Sequence, residues 1–394
     1  MPSYIGRSGS FSLMKNLNLE KVYRTIVLNA PISRADISRL TGLNKVTVSN
    51  AVKSLLDADI VSEEGIISTD NGRPPMMLTL SKTFGVIIGL EISGISTNVI
   101  ITDLQGNILD KTIRDPHRYT PDELLVLLSE LINECNTKFN TTRGVVGIGI
   151  ALPLNYNQLD EIDDTSALPA WKGVDADDFF CRHFPDIPIE VLNTAAAGTI
   201  GEIHFGKANP ETYLVYVHGN WNLKMDVYDG RDTYSSHSSF SGKLGRTLVN
   251  NKKNPKQMLV LDEVASVKAL INELYPDTKM NRLEAVLDLH TRQKLDDPEV
   301  DKAIKQTLDY LALGLYNILQ IFRPDSICIG GYLGATLANG YVDLLNDKLN
   351  ELVGPANNKG RRVVCSEFGI FNVGFGCVSW IRDNIITYIF DDEE

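Results

Sequence analysis

Side chains that can read DNA bases or bind phosphates are concentrated between residues 33 and 73 of this 394-residue sequence. Short hydroxyl and amide side chains can hydrogen-bond to base edges in the major groove, and lysine or arginine can bind phosphate. An arginine on an extended Gly/Pro backbone can also enter a narrow minor groove. The candidate DNA-contacting residues are Ser33, Arg34, Asn44, Lys45, Thr47, Val48, Ser49, Asn50, Lys53 and Arg73.

The residues around this set predict three helices. Apolar residues recur at helical spacing over residues 17–28, and Pro31 is expected to end this first helix. Ser33 and Asn44 have the residue types that cap a second and a third helix, with Gly42 in the turn between them, which is typical of a helix-turn-helix. The side of the third helix predicted to be buried consists of Val46, Val48, Val52, Leu55 and Leu56, so Val48 stands in both groups.

A hairpin is predicted after the third helix. Residues 60–62, 66–68 and 77–80 are apolar and strand-like, and the Gly-Arg-Pro-Pro segment at residues 72–75 separates the last two. This pattern favours the wing of a winged helix-turn-helix domain over residues 1–80. Two other interpretations stay open: the segment is a plain interdomain linker, or the helices are a protein-binding appendage.

Charge is distributed unevenly along the chain. The net charge is −12, yet residues 1–56 carry eight basic and two acidic side chains, so the start of the chain is at +6 and the remainder at −18. A basic segment on an acidic body is expected to meet DNA phosphates while the body is repelled from them.

Composition sets the class of protein. With 43% hydrophobic and 22% charged residues, the sequence is typical of a globular protein of two or three domains. It has no apolar run of the roughly 20 residues that span a bilayer, and its start lacks the apolar core of a secretion signal, so we expect a cytoplasmic protein with no membrane contact. Five cysteines without a close pair predict reduced thiols.

The body, from residue 81 onward, predicts an α/β fold. Buried strands are expected at residues 85–93, 97–104, 144–153, 214–218 and 325–329, with amphipathic helices at 122–139 and 303–322. We interpret this order as a two-lobed actin-like (sugar kinase/Hsp70-type) ATPase fold. Residues 81–194 are assigned to lobe 1, which the C-terminal helix 379–394 is expected to complete, and residues 195–378 are assigned to lobe 2.

Several motifs together make the chain resemble the ROK (repressor, open reading frame, kinase) family, in its xylose-repressor-like branch. They are ISRADIS at 32–38, GLNKVTVS at 42–49, GRPP at 72–75, LPAWKGV at 168–174, NTAAAGTIGE at 193–202 and PDSICIGG at 324–331. The resemblance covers nearly the whole chain. It implies a transcriptional regulator, a repressor of carbohydrate-related genes that acts as a homodimer on palindromic double-stranded operator DNA.

The catalytic motifs of the family's kinases are altered. Where those kinases have Asp-x-Gly-Gly-Thr in a phosphate-binding turn, residues 91–95 read Glu-Ile-Ser-Gly-Ile. The aspartate that serves them as general base corresponds to Thr194, which has no carboxylate to accept a proton. The resemblance therefore implies no catalytic residue and no enzyme activity; the alternative is a sugar kinase with an added DNA-binding head.

The sugar-binding positions implied by the resemblance have changed as well. Ala167 replaces an asparagine, Lys243 and Arg246 replace a glutamate and a histidine, and Asp262 corresponds to a later glutamate. The family's zinc-binding cysteine cluster has no counterpart in residues 247–261, so no metal and no cofactor are expected. The implied effector-binding residues are Ala167, Asn193, Thr194, Lys243, Arg246 and Asp262.

Two explanations of the altered sugar positions remain open. Exchanging an acid and a histidine for two cations favours an anionic sugar derivative, such as a phosphosugar or a sugar acid. Alternatively, the body has lost ligand binding and serves dimerisation alone.

Overall fold

The computed structural model describes residues 11–65, 76–115, 119–152, 169–171, 174–206, 213–230, 233, 242–354 and 362–390. Arg73, Ala167 and the predicted strand at 66–68 lie outside these ranges. No helix in the described ranges is long and apolar enough to cross a membrane.

The head forms the three predicted helices and a small antiparallel sheet. Its elements are α1 (Phe11–Asn29), β1 (Ile32–Ser33), α2 (Arg34–Thr41), α3 (Lys45–Asp57), β2 (Val61–Gly65) and β3 (Met76–Leu80), with strand order β1-β3-β2. Ser33 and Asn44 cap α2 and α3 as predicted, and Gly42, at φ 71°, ends α2 in the left-handed conformation that favours glycine. Because Gly65 pairs with Met76, residues 66–75 connect the two strands of a hairpin.

Lobe 1 is built on a mixed five-stranded sheet. Its elements are β4 (Val86–Ile92), β5 (Thr97–Thr102), β6 (Ile108–Arg114), α4 (Pro121–Lys138), β7 (Val145–Leu152), α5 (Ala176–His183) and β8 (Ile189–Asn193). Helix α6 (Thr194–Phe205) follows β8 directly and packs mainly against the last helix of the chain, although the sequence assigns residues from 195 onward to lobe 2. The strand order is β6-β5-β4-β7-β8; β4, β7 and β8 are parallel, and β5 is antiparallel to both its neighbours. The strands predicted at residues 85–93 and 97–104 are therefore β4 and β5, which pair as a hairpin that β6 extends.

Lobe 2 has a second sheet, covered by helices. Its strands are β9 (Leu214–Gly219), β10 (Leu223–Tyr228), β11 (Leu248–Asn250), β12 (Met258–Val260), β13 (Ser326–Gly330) and β14 (Arg362–Cys365). Its helices are α7 (Asp262–Ala265), α8 (Val267–Leu274), α9 (Arg282–Lys294), α10 (Pro298–Ile321), α11 (Gly331–Leu337) and α12 (Tyr341–Val353). The main sheet has the order β10-β9-β13-β14, and β11 pairs with β12 alone. The α/β class is thus confirmed in both lobes.

The last helix, α13 (Asn372–Phe390), packs against the lobe 1 sheet and against α6. Two glycines permit this close approach, because a Cβ on Gly89 would collide with the carbonyl oxygen of Gly374, and one on Gly376 would collide with that of Ala197 in α6. The helix starts at residue 372, earlier than the 379 expected from the sequence.

The head shares an apolar core with lobe 1. Buried residues of α1 and α3, such as Ile26 and Leu55, belong to the same cluster as Ile87 of β4 and Val378 of α13. The buried hydroxyl of Tyr23 also donates a hydrogen bond of 2.7 Å to the carbonyl oxygen of Arg382 in α13. The head is therefore held against lobe 1 by packing as well as by its covalent connection.

Candidate functional site

Helix α3 presents a mainly polar face to solvent. Its buried residues are Val48, Ala51, Val52 and Leu55, which pack in the head core. Its exposed residues from 45 to 53 are Lys45, Val46, Ser49, Asn50 and Lys53. Because an α-helix has 3.6 residues per turn, these five positions share one side. The third helix thus brings together the base-reading and phosphate-binding side chains predicted from the sequence.

Three of the sequence predictions for this region need correction. Val46, predicted to be buried, is 70% exposed, whereas Val48, predicted to contact DNA, is fully buried. Positions two apart lie on roughly opposite sides of a helix, so the two valines cannot share one environment. Ser33 is only 7% exposed, and its hydroxyl accepts from the Asp36 amide and donates to the Asp36 carboxylate. We therefore remove the side chains of Val48 and Ser33 from the proposed DNA-contacting set.

Two other candidates have partners within the head. Asn44 Oδ1 accepts a hydrogen bond of 2.8 Å from the Thr47 amide, so only the side-chain NH₂ of Asn44 remains to donate. Arg34 forms an ion pair with Glu63 of β2. In the described part of the chain, Lys45 and Lys53 have no acidic partner, so they are the cations of this face that are ready to meet phosphate.

A cavity of about 540 Å³ lies at the contact between the two lobes. Ile92 and Ser93 of lobe 1 contribute to its wall, and the other lining residues belong to lobe 2. Among the predicted effector-binding residues, the cavity brings together Lys243, Arg246 and Asp262. Asn193 and Thr194 lie at the junction of β8 and α6 and are not among the lining residues.

Cations outnumber acids in the wall of this cavity. The charged lining residues are Lys224, Lys243, Arg246, Lys268, Arg282 and the single acid Asp262. Lys224, Lys268 and Arg282 are not predictable from the sequence, because they come from separate elements and only the folded chain brings them together.

The partners of these residues fix their positions. The Arg282 guanidinium lies 4.0 Å from the centre of the Trp221 ring and donates to the Gly94 carbonyl at 3.2 Å. Lys268 pairs with Glu263 at 2.7 Å. Asp262 Oδ1 accepts from the Leu223 amide at 2.7 Å, and burial raises the pKa of Asp262. The one acid of the wall is thus hydrogen-bonded to the backbone, and one of the five cations, Lys268, is already paired with an acid outside the wall.

A buried polar cluster centred on Glu91 joins the lobes beside the cavity. Glu91 Oε1 lies 3.0 Å from His218 Nε2 and accepts from Asn220 Nδ2 at 3.3 Å, and Oε2 accepts from Asn98 Nδ2 at 3.2 Å. Glu91 and Asn98 belong to lobe 1, whereas His218 and Asn220 belong to lobe 2 and line the cavity. All four residues are at most 5% exposed, so the carboxylate depends on these bonds for its stability.

The turn that follows Glu91 is occupied by its own side chain. Ser93 Oγ accepts hydrogen bonds from the amides of Ile95 and Ser96, each at 3.2 Å, and donates to the Ser96 carbonyl. Arg282 contacts this turn at the Gly94 carbonyl. Two backbone amides of this turn are therefore already bonded within it and are not directed at a phosphate.

Acidic, histidine and cysteine side chains do not cluster for metal binding in the part of the chain that the structure describes. No group of three or more such residues within the described ranges could hold a metal ion. The five cysteines are free thiols, and Cys135, Cys328 and Cys377 are buried.

A helical head with a small sheet, followed by two α/β lobes around a cleft, defines the class of sugar-kinase-like proteins that carry an N-terminal extension. The chain belongs to the ROK family, whose model matches residues 87–384. It is 30% identical over 329 residues to a xylose repressor of Bacillus spizizenii, a match that covers 81% of this chain and 83% of the repressor.

Solved structures share the fold. A ROK family transcriptional regulator, described as a homologue of the Escherichia coli Mlc protein, covers 96% of this chain and 99% of its own at a TM-score of 0.71 and 19% identity. A ROK family glucokinase from Streptomyces griseus, in complex with glucose and AMPPNP, covers 75% of this chain and 99% of its own at a TM-score of 0.60 and 15% identity. The similarity thus includes both a regulator that spans the head and body and an enzyme with the body's fold.

Replacing Glu91 with alanine should destabilise the contact between the lobes. The substitution leaves His218 and two asparagine amides buried without their shared acceptor, and breaking such a cluster costs about 3 kcal/mol. We expect the free energy of unfolding to fall by that amount in urea titrations followed by tryptophan fluorescence. Glu351→Ala, at an exposed position of α12, is the control and should change stability by less than about 0.5 kcal/mol. Equal stability of both variants would contradict this account of the cluster.

Proposed function

We propose that this protein is a DNA-binding transcriptional regulator, a repressor of carbohydrate-related genes. The observation that carries the proposal is the exposed face of α3, which combines short polar side chains with two lysines that have no acidic partner among the described residues. The names of its relatives support this function: one is a xylose repressor, and another is the DNA-binding transcriptional repressor Mlc of Escherichia coli.

The head is proposed to be a winged helix-turn-helix in which α3 is the recognition helix. Three helices, a tight turn at Gly42 and an antiparallel hairpin support this interpretation. Residues 66–75 would form the tip of the wing, and Arg73 would insert into an A·T-rich minor groove, where negative potential is concentrated. We further propose a symmetric homodimer whose two heads occupy the half-sites of a palindromic operator.

The first test of this function separates base reading from phosphate binding. The operator is first obtained by sequencing genomic DNA that co-purifies with the protein. Replacing both Ser49 and Asn50 with alanine should weaken operator binding by about 1–3 kcal/mol for each base contact that is lost, and it should relax the sequence preference. Lys53→Ala should weaken binding to all sequences similarly and reduce the slope of log K against log salt by about one. Affinities are measured by fluorescence anisotropy at several salt concentrations.

The matched control removes an exposed lysine from the body. Lys302 lies on α10, and Lys302→Ala should leave both operator affinity and the salt slope unchanged. If the Ser49→Ala, Asn50→Ala double variant binds operator as tightly as the parent, the recognition face is assigned wrongly. If the parent selects no genomic sequence at all, the head is instead a protein-binding appendage.

We also propose that the body is not a kinase. The turn amides of Ile95 and Ser96 are bonded to Ser93, and Thr194 supplies no carboxylate for general-base catalysis, which typically contributes 100-fold to 10,000-fold. Because both defects act together, restoring the acid with Thr194→Asp alone should yield no ATP-dependent phosphorylation of glucose, xylose or other sugars in a coupled ADP-release assay. Sugar-dependent ADP release by the parent would instead support a sugar kinase with an added head.

The interlobe cavity is proposed to bind an anionic sugar derivative as effector. The wall holds more cations than acids, although Lys268 is paired with Glu263, and the guanidinium of Arg246 has the fork geometry that binds phosphate or carboxylate through two bonds. His218 and Asn220 place polar groups at the same wall. Closure of the lobes on this ligand would change the placement of the two heads in a dimer and thus operator affinity.

The effector proposal predicts a charge-dependent ligand response. Thermal-shift screening should show stabilisation by phosphosugars or sugar acids. Arg246→Ala should lower the affinity for the stabilising ligand about 10- to 100-fold, because a hydrogen bond to a charged group contributes roughly 1.5–3 kcal/mol. Arg362→Ala, which removes an exposed arginine of β14 outside the cavity, should bind like the parent. Stabilisation by neutral sugars alone, or an Arg246→Ala variant that responds like the parent, would contradict the proposal of an anionic effector.

A further inference from the structure

We propose that Val46 reads the 5-methyl group of a thymine in each operator half-site. This inference rests on the proposed DNA-binding function and adds a specificity-determining residue that the polar pattern of α3 did not reveal. Val46 is 70% exposed although it is β-branched and apolar, and it is the second residue of α3.

The position of Val46 places it in the middle of the proposed recognition face. At about 100° per residue along α3, and counting from Lys45, Ser49 lies at ~40°, Lys53 at ~80°, Val46 at ~100° and Asn50 at ~140°. The buried residues Val48, Ala51, Val52 and Leu55 occupy the opposite side. Val46 is thus surrounded by the polar side chains that would face DNA, and it cannot contact the head core.

The chemistry of the groove explains an apolar residue at this place. In the major groove, thymine differs from cytosine partly by its methyl group, which apolar side chains recognise by contact. In helix-turn-helix proteins the first residues of the recognition helix approach the base edges, and Val46 is one of them. Two lysines on the same face of α3 favour a polyanionic partner over an apolar protein groove, so DNA is the partner that fits this surface.

The experiment removes the thymine methyl group from the DNA and the two γ-methyl groups of Val46 from the protein, each separately. Each operator thymine is replaced by uracil, which lacks only the methyl group, and affinities of the parent and of Val46→Ala are measured by fluorescence anisotropy. Burial of one methyl group corresponds to about fourfold in affinity. We expect one thymine per half-site at which uracil weakens the parent about fourfold and does not weaken Val46→Ala further.

The control uses an exposed valine of the body. Val126 lies on α4 and is 59% exposed, so Val126→Ala should retain the uracil sensitivity of the parent. Thermal unfolding of Val46→Ala should match that of the parent, because its side chain makes no core contact.

The outcomes distinguish this inference from the proposed function. If the parent binds its operator specifically, but Val46→Ala keeps the full uracil sensitivity or binds as tightly as the parent, the thymine contact is wrong and DNA binding stands. Loss of binding to a partner protein, with operator affinity unchanged, would likewise overturn the thymine contact. If the parent binds no DNA sequence specifically, the proposed function itself fails.

Discussion

The close packing of α13 is the constraint on which the arrangement of the chain depends. Because Gly89 and Gly376 have no side chain, this helix can contact both the lobe 1 sheet and α6. The same helix accepts a hydrogen bond from the Tyr23 hydroxyl of the head. The end of α6 meets this junction too, because Arg382 of α13 lies over the Phe205 ring at 4.8 Å and contacts His204 Nδ1 at 3.2 Å. The head, the lobe 1 sheet and α6 are therefore packed as one unit, and a movement of lobe 1 would carry the head with it.

Lobe 2 meets this unit partly through the Glu91 cluster. A carboxylate buried between lobes favours the arrangement in which all its donors are present, since separation of the lobes would leave several polar groups unsatisfied. His218 and Asn220 belong both to this cluster and to the cavity wall. A ligand in the cavity would therefore contact the same residues that join the lobes, which gives effector binding a direct physical route to the relative position of lobe 2 and the head.

Helix caps, turns and strands were predicted well from the sequence, whereas the assignment of side chains to the surface or to the core was less accurate. The capping residues Ser33 and Asn44, the turn at Gly42 and the buried strand β4 follow from residue type and spacing over a few positions. Val46 was assigned to the core because valine is usually buried, although its angular position relative to Val48 already argues for the opposite side of α3. The cavity was only partly predictable: Lys243 and Arg246 are near each other in sequence, whereas Arg282 reaches the wall through long-range folding. The contact of the head with α13 likewise joins residues 359 positions apart, Tyr23 and Arg382, which no local pattern encodes.

The opposite charges of the head and body have different consequences at different distances. Charges on the surface of the body are screened over about 8 Å at physiological ionic strength, so the net charge of −14 on residues 81–394 repels DNA mainly where the two come close. That repulsion favours orientations in which only the basic head meets the duplex. Inside the cavity, by contrast, the nearest charges dominate because they lie within a few ångströms of any bound ligand, and most of the charged lining residues are cations. An acidic protein can therefore carry the two anion sites proposed above, one for a polyanionic duplex at α3 and one for a small anion between the lobes.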